Sequence, residues 1–248
     1  MAVRQNESQL RRGLRILEEL AGEPQSAAEL ARRLRVNRST ALRLLGELER
    51  SGYVSRDAAT KRYASVLERL YGLVVSHDDH SDWIELVHPV LASLREEFGE
   101  AAVQAVPANG SMVYVAFLPS LHPVAVRERL GTVRPMHCSG LGKAYLSGLG
   151  EEELDRELGR LRYEGGTARA PRGPLELRRQ VEEARATGFA LDLEETFDGV
   201  ACVSAPTRAG GMLVGAAGVS GPSSRLSTPQ LEEIGRSLTE RLATVERE

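Results

Sequence analysis

The chain has 248 residues, of which 42% are hydrophobic and 27% are charged, and these proportions favour a globular protein over a disordered one. Its two cysteines are too few for a disulfide framework, no signal-peptide pattern opens the sequence, and no apolar run reaches the roughly 20 residues that span a bilayer. We therefore expect a soluble cytoplasmic protein with no membrane partner.

Charge is distributed unevenly along the sequence. Residues 1–65 contain 13 Lys and Arg against 8 Asp and Glu, a net charge of +5, whereas residues 66–248 have a net charge of −8. A basic segment on an acidic chain is typical of contact with a polyanion, so we expect the first 65 residues to contact nucleic acid.

Three short helices are predicted in this basic segment. Ser8 can cap the first, and the second begins at SAAE, where Ser26 and Glu29 have the spacing of a capping box. Asn37 is predicted to cap a third helix that ends at Gly52. The first helix is expected to bury an apolar stripe at Leu10, Leu14, Leu17 and Leu20. Two short helices joined by a tight turn predict a helix-turn-helix.

The third helix presents hydrogen-bonding side chains where a recognition helix meets base edges. Five arginines occur from Arg32 to Arg43 without an acid, although an ordinary three-helix domain with a solvated basic face remains the alternative. The following residues alternate toward a hairpin with its turn at Asp57 to Thr60, which predicts a wing along the phosphates. The predicted DNA-binding residues are Ser26, Asn37, Arg38, Ser39, Thr40, Arg43, Arg56, Lys61 and Arg62.

A linker is predicted between the basic segment and the rest of the chain. An amphipathic helix starts near Val66, with Leu67, Leu70, Tyr71 and Val74 on one face, and ends in the polar run SHDDHSD. His77, Asp78, Asp79 and His80 could suggest a metal cluster, but consecutive loop residues converge poorly on one ion, so a solvated hinge is favoured. We predict domains over residues 1–65 and 81–248, joined by a linker helix and hinge over residues 66–80.

An α+β domain is predicted after the linker. A helix that contains Pro89 precedes a change to a period of two, and Asn109-Gly110 has the signature of a hairpin turn. Six strands are expected, at residues 101–107, 111–118, 122–131, 189–195, 200–207 and 212–220. Further helices are expected from Ser139 to Leu146 and over residues 151–161, 174–188 and 227–248. This order predicts a six-stranded antiparallel sheet with helices packed on it.

The segment RPMHCSGLGKAYL, residues 134–146, raises the question of catalysis. An enzyme would use Cys138 as nucleophile, His137 or another histidine as base, and Asp192 to orient it, although adjacent side chains at a strand end diverge. An enzyme or carrier with Cys138 as nucleophile is therefore the alternative to a binding function.

The same segment also predicts a helix start that could bind an anion. Gly140, Gly142 and Lys143 stand where free N–H groups attract negative charge, but the spacing is not that of a nucleotide-binding loop. A smaller anion such as a carboxylate needs only two or three N–H groups. Glycines that merely let the helix pack against the sheet are the alternative.

Small polar residues recur on one face of the late strands. Val200 and Cys202 alternate on one strand, and Gly218 and Ser220 on the next, so neighbouring strands would place all four around one concavity. A core that required only density would contain larger aliphatic residues here. Asp192 could add an acceptor or be an ordinary acid at the sheet rim. We predict a ligand pocket.

Several stretches together resemble the IclR family of bacterial transcriptional regulators. They are RSTALRLL, KRY, RPMHCSGLGKA, GFALDLEETFDGVACVSAP and GVSGPSSRLS, which follow the family's order and spacing over essentially the whole chain. The resemblance implies a winged helix-turn-helix, a linker helix and a GAF/profilin-like domain for effector binding and oligomerisation. It also implies a homodimer or homotetramer that binds double-stranded operator DNA and responds to a small organic effector.

The resemblance implies no cofactor, metal or catalytic residue, and it assigns the pocket residues. Gly218 stands where many members have serine, and Ala201 where many have arginine. The glycine is expected to remove a hydrogen-bonding group and enlarge the pocket, so a bulkier or less polar effector is expected. Carboxylic acids, amide-like compounds and aromatic metabolites are the expected classes, and Lys143 is expected at the pocket rim. The predicted effector-binding residues are Gly140, Leu141, Asp192, Val200, Cys202, Gly218 and Ser220, with Val124 and Val126 as an apolar wall.

Overall fold

The computed structural model describes residues 8–20, 23–66 and 82–245, and contacts divide the chain into two compact units, residues 1–81 and 82–248. The predicted linker helix beyond residue 66 and the segment from His77 to His80 lie outside the described residues. No described helix is both long and apolar enough to cross a membrane. Each unit has its own hydrophobic core.

The first unit consists of three helices and a hairpin, as predicted. Helices α1 (Gln9–Leu20), α2 (Ala27–Arg33) and α3 (Arg38–Arg50) precede strands β1 (Val54–Arg56) and β2 (Tyr63–Ser65), which pair antiparallel. The capping box is present, because Ser26 Oγ accepts the Glu29 N–H at 3.3 Å and the Glu29 carboxylate accepts the Ser26 N–H at 2.7 Å. This is a helix-turn-helix followed by a wing.

The apolar stripe predicted for α1 is only partly buried. Ile16 and Leu20 are buried against the other helices, but Leu10 and Leu14 are 74% and 53% exposed. Only the C-terminal half of α1 therefore contributes to the core of this unit. The prediction of a continuous buried stripe was wrong at these two positions.

The second unit contains the predicted six-stranded antiparallel sheet, with strand order β5-β4-β3-β8-β7-β6. The strands are β3 (Ala101–Ala108), β4 (Ser111–Leu118), β5 (Val133–Pro135), β6 (Ala190–Leu193), β7 (Val200–Ala209) and β8 (Met212–Pro222). The helices are α4 (Asp82–Phe98), α5 (Gly140–Ser147), α6 (Glu151–Arg160), α7 (Pro174–Thr187) and α8 (Thr228–Val245).

Helices cover both faces of the sheet. Helices α4 and α8 pack on one face around Leu91, Val203 and Leu238, whereas α5, α6 and α7 pack on the other around Leu146 and Leu177. Alternation along β7 and β8 turns every second residue toward α5, because successive side chains of a strand point to opposite faces. Cys202 and Ser220 are register partners on that second face.

The third predicted strand is misplaced. Residues 122–131 form no strand; β5 begins at Val133, which pairs with Val113. Pro123 lacks an N–H to donate to a ladder, and Arg225 donates to the Val124 carbonyl at 3.0 Å, which holds this stretch as a loop. The loop brings its later residues to the edge of the α5-covered face.

Candidate functional site

A cavity lies between the start of α5 and the sheet. Six of the predicted effector-binding residues line it: Gly140, Leu141, Asp192, Val200, Cys202 and Ser220. Nine residues that were not predicted also line it: Val103, Tyr114, Glu128, Arg134, Ser139, Thr196, Phe197, Ser204 and Val219. The structure thus brings together α5, all six strands of the sheet and two loops around one partly open space.

The start of α5 supplies hydrogen-bond donors to this cavity. Ser139 caps the helix, because its Oγ accepts the Gly142 N–H at 3.2 Å. Within the described residues, the N–H groups of Gly140 and Leu141 have no acceptor, as expected for the first turn of a helix. A Cβ atom at Gly142 would overlap the Met136 backbone, so glycine allows the helix start to lie against the preceding turn. The helix therefore presents two free amides at its positive end.

The opposite wall carries small neutral groups. Cys202 Sγ lies 3.1 Å from Ser220 Oγ, within hydrogen-bond distance for a thiol. Burial raises the pKa of Cys202 far above its ordinary value, so the group stays a thiol near neutral pH. A Cβ atom at Gly140 would lie 3.2 Å from Ser204 Oγ, so glycine also sets how closely α5 approaches β7.

Gly218 does not enlarge the cavity, contrary to the prediction. It is the register partner of Ser204, and a Cβ atom on it would overlap both Ser204 Oγ and the Val203 carbonyl oxygen. The space that the missing side chain would occupy is therefore already filled. Gly218 accommodates Ser204, and the serine hydroxyl lines the cavity in its place.

Asp192 lines the cavity but is largely engaged by its own loop. Its Oδ1 accepts the N–H groups of Glu195 at 2.7 Å and Thr196 at 3.2 Å, and its Oδ2 accepts the Thr196 hydroxyl at 2.6 Å. Burial raises the pKa of Asp192, and Lys143 and these donors oppose the rise. The carboxyl group shapes the turn that carries Phe197 to the cavity mouth.

The predicted apolar wall of Val124 and Val126 is not present at the cavity. Val124 is 71% exposed, and neither valine is among the lining residues. The two were placed on a strand, but the structure has a loop there, and Arg225 donates to the Val124 carbonyl. Glu128, two residues beyond Val126, is the residue of this loop that reaches the cavity.

The adjacent His137 and Cys138 do not form a reactive pair. Both are buried, and neither lines the cavity. Burial raises the pKa of Cys138 to about 11, which keeps it protonated and weakly nucleophilic at neutral pH. His137 packs edge-on against Tyr163, with Nε2 buried and unpartnered, and burial lowers its pKa. The geometry gives the nucleophile hypothesis no support.

Lys143 is not at the pocket rim, where it was expected. Its side chain is 1% exposed, and its Nζ lies 2.6 Å from Glu195 Oε1 and 2.9 Å from Gln180 Oε1. Lys143 is not among the residues that line the cavity, and these two contacts hold its Nζ beside Glu195 and Gln180 instead. Lys143 therefore ties α5 to the turn after β6 and to α7.

The first unit exposes the side chains predicted to contact DNA. Arg38, Ser39 and Arg43 are exposed at the start of α3. Asn37 caps this helix, since its Oδ1 accepts the Thr40 N–H at 2.7 Å and the Ser39 hydroxyl at 2.8 Å. Ser26 and Asn37 thus act as N-caps of α2 and α3, and the N-terminal ends of these helices remain accessible.

The predicted wing residues differ in their exposure and in their contacts with the rest of the unit. Arg56 is exposed and lies 5.5 Å from the centre of the Tyr63 ring, and Lys61 is exposed in the turn with φ of 58°. Arg62 instead donates to the Pro24 carbonyl at 2.9 Å and pairs with Glu29 at 3.1 Å. These contacts of Arg62 therefore join the wing to the start of α2, and Arg62 would have to leave them in order to contact DNA.

Metal binding finds no support in the part of the chain that the structure describes. Across residues 8–20, 23–66 and 82–245 there is no group of three His, Cys, Asp or Glu side chains placed to hold an ion. The candidate cluster from His77 to His80 lies outside these ranges.

Comparison with known proteins matches both units to one family. Residues 9–58 match the IclR helix-turn-helix domain, and residues 76–245 match the bacterial transcriptional regulator IclR C-terminal domain. The transcriptional repressor IclR of Escherichia coli (strain K12) is 29% identical over 238 residues, which cover 91% of this chain and 84% of that protein.

Two solved structures share the fold. The IclR of Thermotoga maritima has a TM-score of 0.77 at 24% identity and covers 96% of this chain and 97% of its own. An IclR homologue from Microbacterium hydrocarbonoxydans, solved in complex with 4-hydroxybenzoate, also has a TM-score of 0.77, at 21% identity, with 97% and 99% coverage.

Proposed function

Because the chain belongs to the IclR family of bacterial transcriptional regulators, we propose that it is an effector-responsive repressor that binds operator DNA as a homodimer or homotetramer. Its helix-turn-helix domain binds the operator in the cytoplasm, and its C-terminal domain binds a small organic effector. The domains extend over residues 1–65 and 81–248, with residues 66–80 as the linker between them.

One observation carries the effector-binding role: Gly140 and Leu141, whose N–H groups have no acceptor among the described residues, line the same cavity as the thiol of Cys202 and the hydroxyl of Ser220. Amides at a helix start bind a carboxylate or carbonyl oxygen, and neutral groups opposite can donate to or accept from a second polar atom. Convergent polar groups in a largely apolar cavity orient a ligand. A buried, protonated thiol supports binding rather than covalent catalysis.

The DNA-binding role follows from the exposed start of α3. Arg38, Ser39 and Arg43 have the reach and donors to contact base edges in the major groove, with Thr40 beside them. Arg56 and Lys61 of the wing contact phosphates, whereas Arg62 positions the wing. Base contacts then specify the operator, and phosphate contacts orient the protein on it.

Regulation requires that the effector bind the DNA-competent and DNA-incompetent arrangements with different affinity. A thermal-shift screen of carboxylic acids, amides and aromatic compounds tests the pocket, because a ligand that binds only the native state raises the unfolding midpoint. Each hit is then added to a binding titration with the chain's own operator region. A hit that raises the midpoint and changes operator affinity supports the proposal.

Ser220→Ala provides the matched site variant. Loss of one hydrogen bond should weaken effector binding by about 0.5–1.5 kcal/mol, roughly threefold to tenfold. Ser147→Ala, on the same helix as the amides but outside the cavity, should leave binding unchanged. If no screened compound stabilises the wild-type protein, or if hits leave operator affinity unchanged, the proposed function is wrong.

A further inference from the structure

The cavity contains an ion pair that the sequence motifs did not predict. The Arg134 guanidinium pairs with the Glu128 carboxylate, and the two side chains are only 20% and 10% exposed. Arg134 comes from β5 and Glu128 from the loop before it, and both line the cavity. A buried pair of this kind is charge-assisted and directional.

Aromatic rings surround the guanidinium. Arg134 lies 4.9 Å from the centre of the Phe197 ring and 6.0 Å from that of Tyr114, both within cation–π range. Phe197 is 46% exposed, so its ring forms part of the outer boundary of the cavity. A planar group that entered beside Arg134 would therefore lie close to two aromatic rings.

The cavity is nearly filled by these side chains. Its enclosed volume is about 20 Å³, which is room for about one water molecule and not for an organic effector. Glu128 and Arg134, joined by their ion pair, and the partly exposed Phe197 all line this space. An effector can therefore enter only if lining side chains move.

The charges of the cavity show which group an effector would replace. Among the described lining residues, Arg134 is the one cation, and Glu128 and Asp192 are the acids. Asp192 already accepts three hydrogen bonds from its own turn, so its place is fixed. Glu128 is on an irregular loop, and its carboxylate occupies the position that an external anion would take on Arg134.

We propose that Glu128 is an internal carboxylate that closes the effector cavity by occupying Arg134, and that the effector is a planar carboxylic acid that displaces it. The acid's carboxylate pairs with Arg134, and its ring or conjugated body lies against Phe197 and Tyr114. No covalent bond changes in this exchange. The inference rests on the proposed effector site and adds to it the residue that recognises the anion and the residue that competes for it.

Cys202 provides a readout of closure that needs no effector. In the Cys138→Ser protein it is the remaining cysteine of the two, and it lies inside the cavity. Glu128→Gln, which keeps the side-chain shape, and Arg134→Gln, which shortens it, each break the charge pair. Both should speed the reaction of Cys202 with methyl methanethiolsulfonate, which forms a methyl disulfide and releases methanesulfinate, roughly tenfold. Glu97→Gln, which breaks an ion pair with Arg241 outside the cavity, should not change the rate.

The two cavity variants also separate closure from electrostatics. Removal of the Glu128 charge lowers the thiol pKa and removal of the Arg134 charge raises it, so a purely electrostatic effect would change the two rates in opposite directions. Equal acceleration in both supports closure by the pair. Opposite changes, or rates within twofold of the parent in both, overturn it.

Matched acids and amides test the recognition of the anion. Thermal shifts with benzoate and benzamide, and with acetate and acetamide, compare ligands of similar shape that differ in charge. Glu128→Gln should raise the preference for the acid over its amide roughly tenfold, and Arg134→Gln should abolish that preference. No acid preference with either pair in Glu128→Gln overturns the inference.

The outcome is distinguishable from failure of the proposed function. If Glu128→Gln favours acids but no acid changes operator affinity, the recognition of anions stands and the regulatory role fails. If a neutral compound changes operator affinity and Glu128→Gln leaves its binding unchanged, the regulatory role stands and the internal carboxylate does not.

Discussion

The ammonium nitrogen of Lys143 lies 2.6 Å from Oε1 of Glu195, and both side chains are buried. Gln180 of α7 accepts a second hydrogen bond from the ammonium at 2.9 Å. Burial raises the pKa of Glu195, and the positive charge of Lys143 opposes that rise. The pair fixes α5, which carries the free amides, relative to the turn that carries Phe197.

Lys143→Met should destabilise the protein by about 3–5 kcal/mol, because it leaves the Glu195 charge buried without a partner. The double variant Lys143→Met/Glu195→Leu should recover most of this loss, since it removes both charges. Urea unfolding measures the free energies. A double variant that is no more stable than Lys143→Met would contradict the assignment of the cost to the unpaired carboxylate.

The same variant should acquire a distinctive pH dependence. Without Lys143 the folded-state pKa of Glu195 rises further above its ordinary value of 4.5, so the folded protein binds a proton more tightly than the unfolded one. Stability of Lys143→Met should therefore fall as pH rises above about 4.5 and recover in acid. Unfolding midpoints across pH, compared with the wild-type protein, measure the difference.

Gly218→Ala should destabilise the protein by about 1–3 kcal/mol, although alanine usually suits a strand better than glycine. The added Cβ would overlap Ser204 Oγ and the Val203 carbonyl oxygen. Ser204→Gly in the same chain should restore part of the loss, and the backbone overlap accounts for the rest. Gly159→Ala is a suitable control, because its added Cβ meets no atom within 4 Å. Gly210→Ala is not suitable, because a φ of 55° is strained for alanine.

Arg43→Ala should weaken specific operator binding by about 1–3 kcal/mol if its guanidinium reads a base edge. In the structure it donates to Gln9 Oε1 at 2.7 Å on the surface, a contact that bound DNA can replace. Arg50→Ala, at the far end of α3, is the matched control and should change affinity little. Equal operator affinities for wild-type and Arg43→Ala, measured by titration at fixed salt, would remove Arg43 from the interface.

His137 should make the protein less stable in mild acid. Burial lowers its pKa below 6.5, so the unfolded chain takes up a proton that the folded protein resists as pH falls. Stability is then lost below about pH 6.5, by at most about 1.4 kcal/mol per pH unit for one proton. His137→Asn replaces the ring N–H with an amide N–H donor and removes the titrating group. The unfolding free energy of this variant should therefore fall less over the same pH range. Parallel curves for the two proteins would rule out this linkage.

Much of the fold was predictable because it depends on local spacing. The capping box at Ser26 and the cap at Asn37 each follow from a side chain three residues before a free N–H, and both are present. Ser139 was predicted only as the start of a helix, and it caps that helix. The period of two predicted five of the six strands at nearly their observed positions. The third strand was wrong because Val124 and Val126 alternate like a strand while a long-range contact from Arg225 holds them as a loop.

The candidate site was predictable only where it lies on regular elements. Cys202 and Ser220 share a face by strand alternation, so sequence spacing alone placed them together, whereas Gly140 was assigned to the pocket by the family resemblance. Glu128, Arg134 and Phe197 come from loops and a three-residue strand, and no periodic pattern marks them. Lys143 is near the cavity in sequence, but its contacts with Glu195 and Gln180 hold its side chain elsewhere.

Local patterns in the sequence therefore determined the division into a basic helix-turn-helix and an α+β domain, because capping, alternation and charge act over a few residues. Tertiary structure alone decided which groups meet in the cavity, because those contacts join residues far apart in the chain. It put Ser204 into the space that Gly218 leaves, paired Lys143 with Glu195, and set the Glu128 carboxylate on Arg134. The charge and the free volume of the candidate effector site follow from those contacts.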